Sequence, residues 1–445
     1  MDRETRRPFA GGSEVWAAAP AVSDWTRRRW SSPLVRSAVC AAALVLPGGC
    51  ADFVEVRSPL ELDETEVDPA EDGEMLSRSA LQSLAEAFGN LTVYGAWFTQ
   101  EAWVGDSFPT RNEFGLRDVG PANAEHSGEN WAPLHRALAG AQSVVAALEG
   151  EGEGLDLARA QLVVGWSILL MAESFCQGTV PEGPREPGPP ASTEELATLA
   201  VEELRKARER AAASGYMGEG LDLGHAATVG MARAYLLAGE MEDAAAWSGE
   251  VPTDFVFHLP HADDPGSRQR LGNRVWAFTD ERPSLVVPPH LRERADQGDP
   301  RIEYEDTGRT AQDGELPFYR QEKVTGWADP APLTSGLEAR YLEVEARGDP
   351  DEIREFVNER RSYAGREPLE AGLSAEELVR ALLEEKASDH WLEGKRMGDL
   401  RRHGESLPGL RAAGSEYYKP RLGRVGGQTC WPVPAAEVLN NPRWH

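Results

Sequence analysis

Catalytic signatures are what this chain most plainly lacks. Its nine histidines include no His-x-x-x-His pair with an intervening glutamate, and its four cysteines include no Cys-x-x-Cys, so no metal-site spacing appears. A Gly-x-Ser-x-Gly elbow and a phosphate loop are also missing. Residues 150–154 alternate glycine with glutamate, whose charge would repel a phosphate, and read as a linker. Glu384 and Glu385 are a tempting acid pair. Neighbours on a helix point about 100° apart and cannot converge on one glycosidic bond, so the pair reads as a solvated face. The basic cluster Lys395, Arg396, Arg401, Arg402 and His403 reads as the complement of a helix C-terminus and of the acidic excess. No enzyme and no cofactor is expected.

Positive charge is scarce as well. Lys and Arg total 46 against 74 Asp and Glu, a formal net charge of −28. Nucleic acid and anionic membrane are polyanions, so neither fits as the main partner. Long apolar runs are absent too, and the short run from Ser37 to Leu46 cannot span a bilayer. Arg27, Arg28, Arg29 and Arg36 precede it, and Leu46-Pro47-Gly48-Gly49 leads into Cys50. The order basic, apolar, small, cysteine fits a secretory signal and resembles a bacterial lipobox, which implies a signal peptide at 1–49 and lipid on Cys50. Acidic residues 50–73, with Pro59 and Pro69, read as a tether into the fold. Cys176 and Cys430 remain, as a disulfide or as two inert buried thiols.

Helical periodicity dominates the rest, expected as one domain over 74–445. Leu76, Ala80, Leu84 and Phe88 recur at steps of four, as do Leu134, Leu138, Ala141 and Val145 nearly so. Residues 156–175 are apolar all round, which predicts a central buried helix. Ser192 with Glu195 and Ser374 with Glu377 form capping boxes, and Asp349 precedes a proline at a first helical position. The stretch from Ala232 to Ala244 turns at Gly239 and looks like a tetratricopeptide hairpin, and 333–363 repeats the form around Gly348. A mainly α fold with a helical repeat core follows. Periodicity fails at about 89–129 and 251–332, which are read as irregular excursions. Their aromatics sit in polar, glycine-rich context, which suits sugar rings stacking on flat apolar faces. Trp97, Trp103, Phe108, Trp276 and Trp327 are the candidate ligand contacts.

The segment from Leu382 to Gly404 has a charged run, Trp391, Glu393-Gly394 and the ending Asp399-Leu400-Arg401-Arg402. It resembles the signature helix of SusD/RagB proteins. Cys430 to Pro442, with prolines, an acid and Asn441-Pro442, is similar to that family's closing pattern. The Trp131 helix, the Ala232-Arg233-Ala234-Tyr235 hairpin, Asp299-Pro300-Arg301 and Asn358-Glu359-Arg360-Arg361 fall in family order. The resemblance implies tetratricopeptide-like helix pairs carrying a loop-rich, ligand-facing half. It implies an outer-membrane lipoprotein facing the cell exterior that captures oligosaccharide, or peptide in some relatives, for a SusC-like TonB-dependent receptor. A tetratricopeptide-like scaffold lipoprotein for protein assembly at the envelope is the alternative. Cys50 makes the anchor testable: a palmitate analogue fed to cells is expected to label the wild type and not Cys50→Ala, and equal labelling would remove the anchor.

Overall fold

The computed structural model describes residues 69–149, 154–183, 186–215 and 218–445. The expected signal peptide, Cys50 and most of the expected tether lie outside them. The main helices are α1 (Pro69–Phe98), α2 (Ala132–Leu148), α3 (Leu155–Ser174), α4 (Thr193–Ala213), α5 (Glu219–Ala238) and α6 (Met241–Ser248). After the long excursion come α7 (Gly336–Arg347), α8 (Pro350–Tyr363), α9 (Ala375–Asp389) and α10 (Arg396–His403). Each helix from α1 to α9 packs on the next in the chain, and α10 returns to lie on α1, α3 and α5. This is the mainly helical, tetratricopeptide-like array that the hairpin pattern predicts.

Local chemistry sets the helix ends. Both capping boxes form, with Ser192 accepting from the Glu195 N–H and Ser374 from the Glu377 N–H. Asp349 caps α8 through the N–H groups of Asp351 and Glu352. Gly239 and Gly348 adopt left-handed φ values of 83° and 62°, ending α5 and α7 so that the chain can reverse. The central helix α3 is buried on every side from Leu157 to Ser174. Its closest approach to α4 is at Gly165, where an added Cβ would lie 2.6 Å from Leu204 Cγ. Gly230 of α5 would meet Leu204 Cδ1 at 2.8 Å, so Leu204 fills a slot between two glycines on flanking helices.

Two boundaries differ from expectation. The helix α1 starts at Pro69, inside the expected tether. A proline at the helix start wastes no N–H, and Glu71 and Asp72 favour the positive end of the dipole, so acidity that reads as a tether is a first turn. At its other end α1 continues to Phe98, past the boundary at 89. Residues 87–98 are buried on all faces, which erases the amphipathic period. Asn90 accepts from Arg274 Nε at 2.7 Å and Thr92 donates to the Phe88 carbonyl, so polar residues are accommodated inside the helix packing.

The excursions contain short strands: β1 (Trp103–Val104), β4 (Val256–Leu259), β5 (Leu285–Val286), β6 (Tyr304–Thr310), β7 (Pro317–Gln321) and β8 (Ala331–Ser335), with β2 (Gln177–Thr179) and β3 (Pro190–Ser192) forming a separate pair. Antiparallel pairing of β4 with β8 closes the base of the long excursion. Pairing of Trp103 with Val286 and Val104 with Leu285 joins the two excursions to each other. β6 and β7 form a hairpin, and the Val287 N–H donates to the Tyr319 carbonyl. A small cluster of Val286, Ala311, Leu316 and Phe318 packs beneath this half.

Two readings of charge are corrected. Glu385 is not on a solvated face: it is buried, with Arg301 at 2.6 Å and Arg366 at 2.5 Å. The basic cluster after Trp391 does not sit at an exposed helix end. Buried Lys395 pairs with buried Glu338 at 3.2 Å, and half-buried Arg402 pairs with Glu345 at 2.9 Å and with buried Asp399 at 2.7 Å. Lys386 joins Asp399 at 2.6 Å, and Arg233 links Glu173 to Glu338. Carboxylates that a sequence places on helix surfaces are here met by arginines from other elements. The signature segment also breaks into two helices at 390–395, where Leu392 and Gly394 take φ values of 58° and 69°.

Cys176 and Cys430 form a disulfide with Cα atoms 5.1 Å apart. It ties the closing segment to the end of α3, where Cys176 N donates to the Trp431 carbonyl and Trp431 N to that of Ser174. Closing so long a loop stabilises by about 5 kcal/mol in the chain-entropy account. The glycine slot gives a separate test. Leu204→Ala is expected to cost about 2–5 kcal/mol and Gly165→Val about 1–3 kcal/mol. The double variant is expected to cost less than the sum in urea unfolding, because the added methyls occupy the vacated space. Strict additivity would show that the two sites do not touch.

Candidate ligand-binding surface

The five aromatics singled out from sequence do not form one constellation. Trp97 has no exposed surface and meets Tyr94 and Phe278 edge-on at 5.1 and 5.2 Å. It is a core residue, because the helix that carries it runs through the interior, and it leaves the candidate set. Trp327 is also buried, beneath Arg268 at 5.0 Å from its ring and against Gly272, where a Cβ would approach to 2.6 Å. Its carbonyl accepts from the Asn273 N–H, and the Asn273 side chain caps the short helix bearing half-buried Trp276. Trp327 therefore anchors the long excursion.

Trp103 and Phe108 lie elsewhere. Phe108 is 49% exposed at the start of the helix Pro109–Gly115, with Arg111 4.9 Å from its ring. Trp103, half-buried on β1, stacks on Tyr418 with ring centroids 4.3 Å apart and planes 8° from parallel. Arg411 lies 5.6 Å from the Trp103 ring and 6.0 Å from that of Tyr418. Tyr319, on β7, is half-buried against the same small cluster as Trp103 and Tyr418, with Arg292 3.6 Å above its ring. Three half-buried rings thus pack on Val286, Ala311, Leu316 and Phe318.

Buried hydrogen bonds hold this surface rigid. The Val104 N–H donates to Tyr418 Oη at 2.6 Å, and Tyr417 Oη donates to Tyr418 Oη at 2.7 Å. Asn112 Oδ1, 3.4 Å from Tyr417 Oη, accepts from the Lys419 ammonium at 3.2 Å. Lys419 pairs with fully buried Asp313 at 2.6 Å, and Asp106 pairs with Arg111 at the same distance. Burial holds the Tyr417 and Tyr418 hydroxyls well above the usual phenol range, so both stay neutral. The arrangement presents partly exposed aromatic surface with guanidinium groups over Tyr319 and near Trp103, which suits stacking and rim hydrogen bonding. Among the described residues no His, Cys, Asp and Glu cluster could hold a metal ion.

Sequence reasoning missed Tyr418 and left Tyr319 off its candidates. Both met its own criterion: Tyr417-Tyr418-Lys419-Pro420 lies among glycines and lacks periodicity, as does Phe318-Tyr319. The pairing of Tyr418 with Trp103 spans most of the chain and has no local signal.

No family model and no curated protein matches the sequence. Solved structures do. A SusD-like carbohydrate binding protein from Bacteroides vulgatus superposes with TM-score 0.61 at 16% identity, over 84% of this chain and 97% of that one. A SusD homolog from Bacteroides thetaiotaomicron gives 0.63 at 13%, over 86% and 98%. A laminarin binding SusD-like protein gives 0.61 at 14%, over 85% and 98%. The chain has the SusD/RagB fold. Within that SusD-like fold, the residues of the expected signature helix are those of the buried ion network and not of the aromatic surface.

Glu101 lies next to this surface and is itself buried. Burial pushes its carboxyl up to about 7, against the opposing pull of Arg396. Its folded proton affinity exceeds the unfolded one, so its contribution to stability is full below about pH 4.5 and is lost as pH rises through about 7. Glu101→Gln keeps the shape without the charge. The variant is expected to melt progressively higher relative to wild type as pH rises from 5 to 8, and a constant offset would show that Glu101 titrates normally.

Proposed function

We propose that this chain is a surface-exposed lipoprotein, anchored through Cys50 to the outer membrane, that captures oligosaccharide and delivers it to a TonB-dependent transporter. The observation that carries the reading is the Trp103–Tyr418 stack with Tyr319, displayed on a fold that a carbohydrate binding protein and a laminarin binding protein also adopt. Such a surface binds by stacking and rim hydrogen bonds and needs no reacting group. The lipidation at Cys50, the transporter and the outward orientation rest on the sequence resemblance. Trp103 and Tyr418 hold sugar faces. Phe108 and Trp276 are the remaining contacts of the original set, at the margins of the same half.

A glycan array with the full mature chain tests the reading, with a peptide panel run alongside. At least one oligosaccharide class is expected to bind, and Trp103→Ala is expected to weaken it about tenfold, the scale of a lost stacking contact of about 1.5 kcal/mol. Binding confined to peptides would transfer the capture role to another nutrient. Silence on both would overturn it.

A further inference from the structure

Beside the aromatic surface lies a partly open cavity of about 150 Å³. Glu101, His290, Arg294, Ser388, Arg396 and Gly409 are among its walls. It joins the Trp103 stack through the chain on both sides: Glu101 is two residues before Trp103 and Gly409 two before Arg411. The Arg411 N–H is fixed to the Gln100 side chain at 3.0 Å. The cavity is too small for a sugar chain and has room for one substituent of a sugar held on the rings.

Its walls carry two arginines, Arg294 and Arg396, one of which has a donor to spare. Arg396 is 4% exposed; its Nε and Nη2 bond the carbonyls of Thr99 and Pro408, while its Nη1 has no hydrogen-bond partner. Arg411, two residues past the wall residue Gly409, carries no ion pair among the described residues and rests on the Trp103 ring. Arg294 is matched by Glu384 at 3.4 Å and Glu385 at 3.8 Å. Glu384 and Glu101 are the acids on the cavity wall. His290 on the same wall is held down at about 4 by burial first and then by Arg396, Arg294 and Arg411, so its ring stays neutral. A buried guanidinium with an unused donor on a cavity wall has a hydrogen bond that an anion can complete.

We propose that this cavity receives a carboxylate substituent of the captured glycan, so that the ligand class is uronic-acid-containing oligosaccharide. A carboxylate offers two coplanar acceptor oxygens to the guanidinium fork of Arg396 and the neighbouring edge of Arg411. The sugar ring bearing it lies on the Trp103–Tyr418 stack, which rests on the capture reading above. Burial favours the protonated form of Glu101 and so lessens its repulsion of the incoming charge, and its backbone carbonyl remains tied to Trp391 Nε1 at 3.1 Å.

Calorimetry with a uronate tetrasaccharide and its fully methyl-esterified form separates charge from shape. The acid form of at least one uronate series, galacturonate, glucuronate or mannuronate, is expected to bind tenfold or more tighter than its ester. That preference is expected to shrink toward one in Arg411→Gln, and to weaken in 0.5 M salt. Equal binding of acid and ester, or binding of neutral oligosaccharides alone, overturns the carboxylate site and leaves the capture reading standing. No binding of any glycan overturns both. Should the variant fail to fold, the wild-type comparison of acid with ester still decides.

Discussion

Buried charge is the constraint on which this structure depends. Arg233 on α5 bridges Glu173 on α3 and Glu338 on α7, and Glu338 passes the contact to Lys395. Asp399 and Glu345 then gather Lys386 and Arg402, with His403 on Glu345 at 2.9 Å. Each ion is removed from water, and a carboxylate or ammonium left alone there would cost several kcal/mol. The network is therefore tolerable only when five helices are all in place. That requirement specifies one packing among the many that a set of amphipathic helices would allow.

The irregular half inherits its position from this core. Lys323, from the long excursion, reaches Glu393 at 2.6 Å and the Trp391 carbonyl at 2.7 Å. Glu101, at the start of the other excursion, accepts from Trp391 Nε1 through its carbonyl. Both excursions are thus moored to the same turn between α9 and α10. Strand pairing between β1 and β5 then fixes Trp103 relative to Val286, and the disulfide holds the closing segment against α3. A surface made of loops gains the rigidity of the helices through these few ties, which is what lets stacked rings stay preorganised for a ligand.

Much of the scaffold was legible in the residues. The two capping boxes, Asp349-Pro350, and the left-handed glycines 239 and 348 carry their signals within four residues, and all appear where expected. The buried helix α3 was legible from its unbroken apolar character. Errors came where tertiary context reverses a local rule. Gly89, Asn90 and Gly95 read as loop yet lie in α1, because Arg274 and Met397 approach them closely and leave no room for larger side chains. Glu385 read as solvated because no nearby residue announces the arginines that surround it.

The binding surface divides in the same way. Sequence alone determined that aromatics would concentrate in aperiodic segments, that no catalytic spacing exists, and that helix hairpins would build the core, since each depends on residues close together in the chain. Only the tertiary structure decided that Trp97 and Trp327 are buried, that Trp103 finds its partner in Tyr418 more than 300 positions away, and that Arg396 lines a cavity with a donor to spare. Stacking and ion pairing act over a few ångströms in space and place no restriction on separation along the chain, so a linear reading can name the rings but not choose among them.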